Sequence, residues 1–188
     1  MSDRKYPQNV SPFNAISKMK QLVASIDLGS HTARLLIARQ SESSGRLRSL
    51  VRKRAYIRLA DSFEREGEEI IGPDASARVL EVIQGFSSLI ADFNVRQVYG
   101  VATGIIRYAI NRDQFLDHLY EQTHIRIGLI SGEREALLSG KGALSGLNIK
   151  GGPSLIFDLG GGTTEFFYDN RGKIELKSVP LGAAVLTK

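Results

Sequence analysis

Cysteine and tryptophan are absent from this 188-residue chain, and only three histidines occur. Without thiols there is no disulfide framework and no cysteine-ligated metal site, which fits a reducing compartment and sets a cytoplasmic expectation. His118 and His124 stand in no spacing that suggests ligands or catalytic partners, so neither is given a role. No apolar stretch approaches the roughly 20 residues that cross a bilayer. Met1 to Lys20 is polar, with scattered proline and asparagine. It lacks the apolar centre of a secretory signal and reads as a loose arm. Charge of one sign is only mildly in excess, with 25 Lys and Arg against 20 Asp and Glu. That balance suits an acidic partner but serves solubility equally, and it selects neither nucleic acid nor a membrane. At this length the expectation is one domain and part of a second.

Glycine, by contrast, is plentiful, and its placement carries the information. Two segments share one pattern: Asp27-Leu28-Gly29-Ser30-His31-Thr32 and Asp158-Leu159-Gly160-Gly161-Gly162-Thr163-Thr164. Each follows an apolar, strand-like run (Leu22 to Ile26, Ser154 to Phe157) and precedes a second one. Glycine allows positive φ and close approach of backbone amides to a ligand. Successive N–H groups in such a turn make an anion-binding concavity, and Ser or Thr hydroxyls add donors. The leading Asp would repel phosphate directly, so its natural use is to hold a hard cation, often through water. A lone Asp-X-Gly-Ser is usually only a hairpin turn. Three glycines closed by Thr-Thr-Glu exceed what a hairpin requires, and the two segments together point to phosphate.

Periodicity supplies the order of elements. Ala33 to Gln40 reads as a second strand and Arg46 to Leu59 as a third, giving an antiparallel meander. In the third strand Arg46, Arg48, Arg52, Arg54 and Arg58 alternate with apolar residues. That is a cationic wet face, more simply a charged edge than a track for a polyanion. Gly72-Pro73-Asp74 opens a helix on which Val79, Val82, Ile83, Phe86, Leu89, Ile90 and Phe93 recur. A strand over Val95 to Thr103 follows, then a helix with Asn111 as candidate cap and Gln114 at the capping-box position. A short strand at Ile125 to Ile130 leads to a helix capped by Ser131 that runs to about Leu147. Gly140, Gly142 and Gly146 inside it each cost about 1 kcal/mol relative to Ala, so close approach of a neighbour is expected there. The order is βββαβαβα, a break at Gly151-Gly152-Pro153, then βββ again (154–158, 163–169, 172–180). Expected units are therefore an arm (1–20), a first α/β unit (21–150) and the opening of a second (151–188), cut after its strands. With half of that second unit missing, the cleft should be open on one side and this chain weakly active or inactive alone.

With both turns and the repeated order in hand, the chain resembles the exopolyphosphatase/guanosine pentaphosphate phosphatase (Ppx/GppA) family, from about Val23 to Leu186. The resemblance rests on Ile26 to Ser30, Val101 to Asn111, Ile130 to Ala136 and Phe157 to Glu165. The outer two segments are shared with kinases and chaperones; the middle two, in this order, single out the phosphatases. Three positions depart from the family pattern. His31 replaces the usual Asn, Arg134 an acidic residue, and Val185 a frequent Arg. The fold implied is ribonuclease H-like α/β, of the actin, sugar-kinase and chaperone superfamily, with ligands between two related domains.

The resemblance also implies chemistry: removal of terminal phosphate from inorganic polyphosphate or from the pentaphosphate alarmone (pppGpp), with Mg2+. Such hydrolysis needs a positioned water, a base, a metal and cations for developing charge. Glu135 matches the family's catalytic base, although Glu in a first helical turn is otherwise commonplace. Arg107 matches an Arg that contacts phosphate, a role suited to its fixed donor fork. Phosphate binding is expected of Gly29, Ser30, His31, Thr32, Arg107, Gly160, Gly161, Gly162, Thr163 and Thr164. Asp158 is the first choice of metal ligand and Glu165 the second, with Asp27 holding metal through water or bracing its turn. A homodimer is a further expectation. Competing readings are a nucleotide- or alarmone-binding module without turnover and a small-molecule kinase, because fold alone does not choose.

Overall fold

A computed structural model describes residues 22–41, 45–59, 69–147 and 151–183. The arm read at 1–20 and the departure at Val185 lie outside the described residues. Strands β1 (Leu22–Leu28), β2 (Thr32–Gln40) and β3 (Leu47–Tyr56) form the expected antiparallel meander. Strands β4 (Gln97–Ala102) and β5 (Ile127–Leu129) add in parallel, giving the order β3-β2-β1-β4-β5. The third strand is shorter than read. The Ile57 and Arg58 N–H groups both donate to the His31 carbonyl (2.8 and 3.2 Å) instead of continuing the ladder. That turn tucks Ile57 and Leu59 into the core.

Helix α1 (Pro73–Asp92) starts as expected, with extended Gly72 at the cap and Pro73 in its first turn. Its buried residues Ala75, Val79, Ile83, Phe86 and Ile90 form one stripe against Ile26, Leu28, Leu35 and Ile37 of the sheet. Helix α2 (Arg112–Thr123) contributes Phe115 and Leu119 to the same core. The expected Asn111 cap does not form. The Asn111 side chain instead accepts from Ile71 N–H and donates to the Ile71 carbonyl, both at 2.9 Å. A tertiary partner with both a donor and an acceptor outcompetes the local cap.

Strands β6 (Ser154–Leu159), β7 (Thr164–Asn170) and β8 (Lys173–Val179) form a second antiparallel sheet. Its first hairpin repeats that of the first sheet residue for residue. Asp27 and Asp158 differ by 131 positions, and the same offset carries the cross-strand pair Ile26 with Leu35 onto Phe157 with Phe166. Helix α3 (Gly132–Gly146) lies against this second sheet. Gly140 meets the Phe167 ring so closely that a Cβ there would overlap it, whereas Gly142 and Gly146 face open space. The close approach expected of all three glycines is real only at Gly140.

Candidate functional site

Both glycine turns close the same way. Gly29 N–H donates to the Thr32 carbonyl at 3.0 Å and Gly160 N–H to the Thr163 carbonyl at 2.9 Å. The turns meet face to face: a Cβ on Gly161 would overlap the His31 imidazole, and one on Gly162 would reach 3.2 Å from Ser30 Oγ. Ser30 is buried and its Oγ accepts from Ile105 N–H at 3.0 Å. Gly104, at φ 63°, lies against that hydroxyl with no room for a side chain. The first turn is thereby tied to the start of the 3-10 turn Gly104–Arg107, which delivers Arg107 to the site.

Between the turns lies a cavity of about 790 Å³, within the range that holds a small ligand. Asp27, Gly29, Ser30, His31 and Thr32 line it from one wall, and Asp158, Gly160, Gly161, Thr163 and Glu165 from the other. Glu135 enters from α3, whose N-terminus is capped as read, Ser131 Oγ accepting from Arg134 N–H at 3.2 Å. Three of the expected phosphate contacts, Thr164, Gly162 and Arg107, do not line the cavity. Thr164 is buried and its hydroxyl donates to the Leu181 carbonyl, while Gly162 packs on Ser30 and Ile105.

Arg107 sits just behind the cavity wall. Its Nη1 donates to Glu135 Oε2 at 2.5 Å and its Nη2 lies 4.0 Å from Glu165 Oε1. Arg112 steadies this turn by donating to the Arg107 carbonyl at 2.8 Å. Glu165, 2% exposed, accepts from Ser178 Oγ at 2.9 Å. Burial raises the Glu165 pKa and nearby Glu135 raises it further, against Ser178, Thr163 and Arg107. Burial likewise raises Asp27; Arg34 at 3.5 Å opposes this, and Glu135 and Asp158 add to it. Asp158 Oδ2 accepts from Ser139 Oγ at 2.7 Å.

Four carboxylates thus surround one cavity, more than Arg34, Arg54 and Arg107 offset. Among the described residues no three His, Cys, Asp or Glu side chains converge closely enough to form a metal cage. One or two carboxylates fit a hard cation that keeps most of its water and shares substrate oxygens. Asp158 and Asp27 fit that description. Glu165 does not, because its carboxylate is buried, bonded to Ser178 and turned toward Arg107. Arg34, Tyr56 and Ser139 also line the cavity and were missed from sequence, as does Arg54, which the sequence assigned to a charged edge. Ser139 had a signal, four residues after Glu135 on the same helix face.

Such a cleft, walled by two acid-plus-glycine turns on repeated sheets, belongs to an α/β protein of the actin-like ATPase fold. Residues 36–188 match the Ppx/GppA phosphatase family, and the chain belongs to it. It is 28% identical over 174 residues to a bifunctional 3-dehydroquinate synthase/phosphatase of Fusobacterium nucleatum, covering 89% of this chain and 26% of that one. It is 30% identical over 173 residues to exopolyphosphatase 2 of Mycobacterium tuberculosis, covering 88% and 54% respectively. The crystal structure of an exopolyphosphatase from Cytophaga hutchinsonii superposes with a TM-score of 0.80 at 27% identity, over 89% of this chain and 53% of that one. The chain spans about a quarter of the first relative and about half of the other two. No helix among the described residues is long and apolar enough to cross a membrane.

Proposed function

We propose that this chain carries the catalytic half-site of a phosphoanhydride hydrolase that removes terminal phosphate from inorganic polyphosphate, or from guanosine pentaphosphate. The single observation behind this reading is the Arg107–Glu135 pair, with Glu135 lining the cavity between the two glycine turns and Arg107 bonded to it from behind the wall. The backbone N–H groups of Ser30, His31 and Gly161, with the hydroxyls of Thr32 and Thr163, cradle the terminal phosphate, while the Gly29 and Gly160 N–H groups close the two turns. Its charge draws the Arg107 fork away from Glu135. Glu135, released from its partner, accepts the proton of a water aligned with the scissile bond. Glu165 and Ser178 hold Arg107 near that position. Asp158 and Asp27 would hold a divalent cation, proposed as Mg2+, which would offset charge on the phosphate oxygens. The division into units at 21–150 and 151–188 belongs to the same proposal, although α3, inside the first unit by sequence, packs against the sheet of the second. So do a cytoplasmic location and self-association of the chain.

Relatives about two to four times as long share this segment, so the 188 residues by themselves are expected to turn over slowly. Phosphate release is to be measured from polyphosphate, guanosine pentaphosphate and ATP with Mg2+. Glu135→Gln should lower the rate by about 10²- to 10⁴-fold while leaving the far-ultraviolet circular dichroism spectrum unchanged. Equal rates for the variant and the unaltered protein would dismiss Glu135 as base. One observation favours a second reading, a sensor that binds without turnover: the Arg107–Glu135 pair is closed at 2.5 Å and occupies the base. Tight calorimetric binding with no product over hours would select it.

A further inference from the structure

The two acid-plus-glycine turns are built alike, but their acids are held differently. Asp27 stands opposite Arg34 across its hairpin and lies 3.5 Å from that guanidinium. Asp158, at the same place in the repeat, stands opposite Glu165. Like charges in that relation destabilise a strand pair. No cation comes within ion-pair distance of Asp158 among the described residues. Its side chain accepts instead from a neutral donor, Ser139 Oγ, which reaches Oδ2 at 2.7 Å. Ser139 comes from α3, one turn after Glu135 and on the same face, and both line the cavity. Its place is fixed by the next residue, because Gly140 lies against the Phe167 ring with no room for a Cβ. Helix α3 thereby holds Glu135 and Asp158 in one frame. A helical serine with no outside task bonds a carbonyl in its own preceding turn, as Ser145 does with Gly142. Ser139 reaches across to the second sheet. An arginine there would cancel the charge of Asp158, whereas a hydroxyl orients the carboxylate and leaves its charge in place.

We propose that Ser139 is the positioning residue of the cation site: it fixes Asp158 through Oδ2 and leaves Oδ1 as the oxygen open to a metal. This rests on the hydrolase reading and deepens it by naming what selects the cation. A small octahedral cation that keeps most of its water needs a single carboxylate oxygen, whereas Ca2+ readily takes both. With Oδ2 engaged, the site favours Mg2+ over Ca2+. Asp27, already facing Arg34, is the weaker ligand of the two acids.

The test counts free Mn2+ by electron paramagnetic resonance as it is titrated into the 188-residue chain, with Mg2+ and Ca2+ added as competitors. Mn2+ shares the octahedral oxygen chemistry of Mg2+. Ser139→Ala should weaken Mn2+ and Mg2+ about tenfold and change Ca2+ by no more than about twofold. Ser139→Thr should restore the unaltered affinities, and both variants should keep the far-ultraviolet circular dichroism spectrum of the unaltered chain. Equal cation affinities for Ser139→Ala and the unaltered chain would overturn the role of Ser139 and leave the hydrolase reading standing. So would equal losses for all three ions, or no recovery in Ser139→Thr. If Asp158→Asn bound Mn2+ as the unaltered chain does, or the unaltered chain bound none, the cation assignment in the hydrolase reading would fall as well.

Discussion

At the scale of single residues, the local chemistry of the chain reads directly where the partner is near in sequence. Ser131 caps α3 because its Oγ reaches an N–H three residues on, and Ser131→Ala is expected to cost about 1 kcal/mol in denaturant unfolding. Asn111 has the same type of side chain in the same kind of place, yet Ile71, forty residues earlier, claims it. No local rule anticipates that. Glu165 is a third case, read from sequence as a metal ligand and found buried against Ser178 and Arg107. Its raised pKa has a definite sign for stability. Ionisation is harder in the folded state, so the contribution of this group is full below the ordinary value of 4.5 and is lost as pH rises through the raised one. Glu165→Gln should therefore raise the melting temperature at pH 7 but hardly change it at pH 4. A larger gain at pH 4 would reverse the assignment of cause.

At the scale of elements, periodicity located every described strand and α-helix to within a few residues but not the 3-10 turn Gly104–Arg107, and the misses have reasons. Strand β4 begins later than read because Val95 N–H returns to the Ile90 carbonyl to close α1. Strand β3 ends early at the His31 carbonyl. The glycines of α3 divide along the same line. Sequence shows three glycines in a helix, but only packing shows that Gly140 alone touches another element. Gly142→Ala is therefore expected to stabilise the protein by up to about 1 kcal/mol. Gly140→Ala must displace the Phe167 ring and should destabilise it. Thermal melts of the two variants should move in opposite directions; a shared direction would mean that α3 does not pack as described.

At the scale of the whole molecule, the repeated sheets are covered unequally. Ala24, Ile26, Leu28 and Leu35 are at most 1% exposed in the first sheet, under α1 and α2. Their counterparts 131 positions on, Leu155, Phe157, Leu159 and Phe166, are 64%, 66%, 54% and 37% exposed. A contiguous apolar face of this kind drives association. Light scattering over a concentration series should show it, with Phe157→Lys reducing the association and leaving the melting temperature nearly unchanged. The meeting of the two turns is equally a whole-molecule property. Gly161→Ala would push against His31 and should weaken anion binding more than it weakens the fold.

What the chain determined by itself is whatever depends on neighbours in sequence: the period of each strand and helix, the glycine turns, the Ser131 cap and the repeat of one meander. Those follow from backbone sterics and from short-range hydrogen bonds, which act over a few residues. Tertiary structure decided which atoms share a cavity: that Arg107 closes on Glu135, that Glu165 turns inward, and that Arg34 and Arg54 face the glycine turns. Each of these brings together groups set on separate strands, turns and helices. Which partner wins depends on burial and competing charge in the assembled fold, and no single segment contains that information.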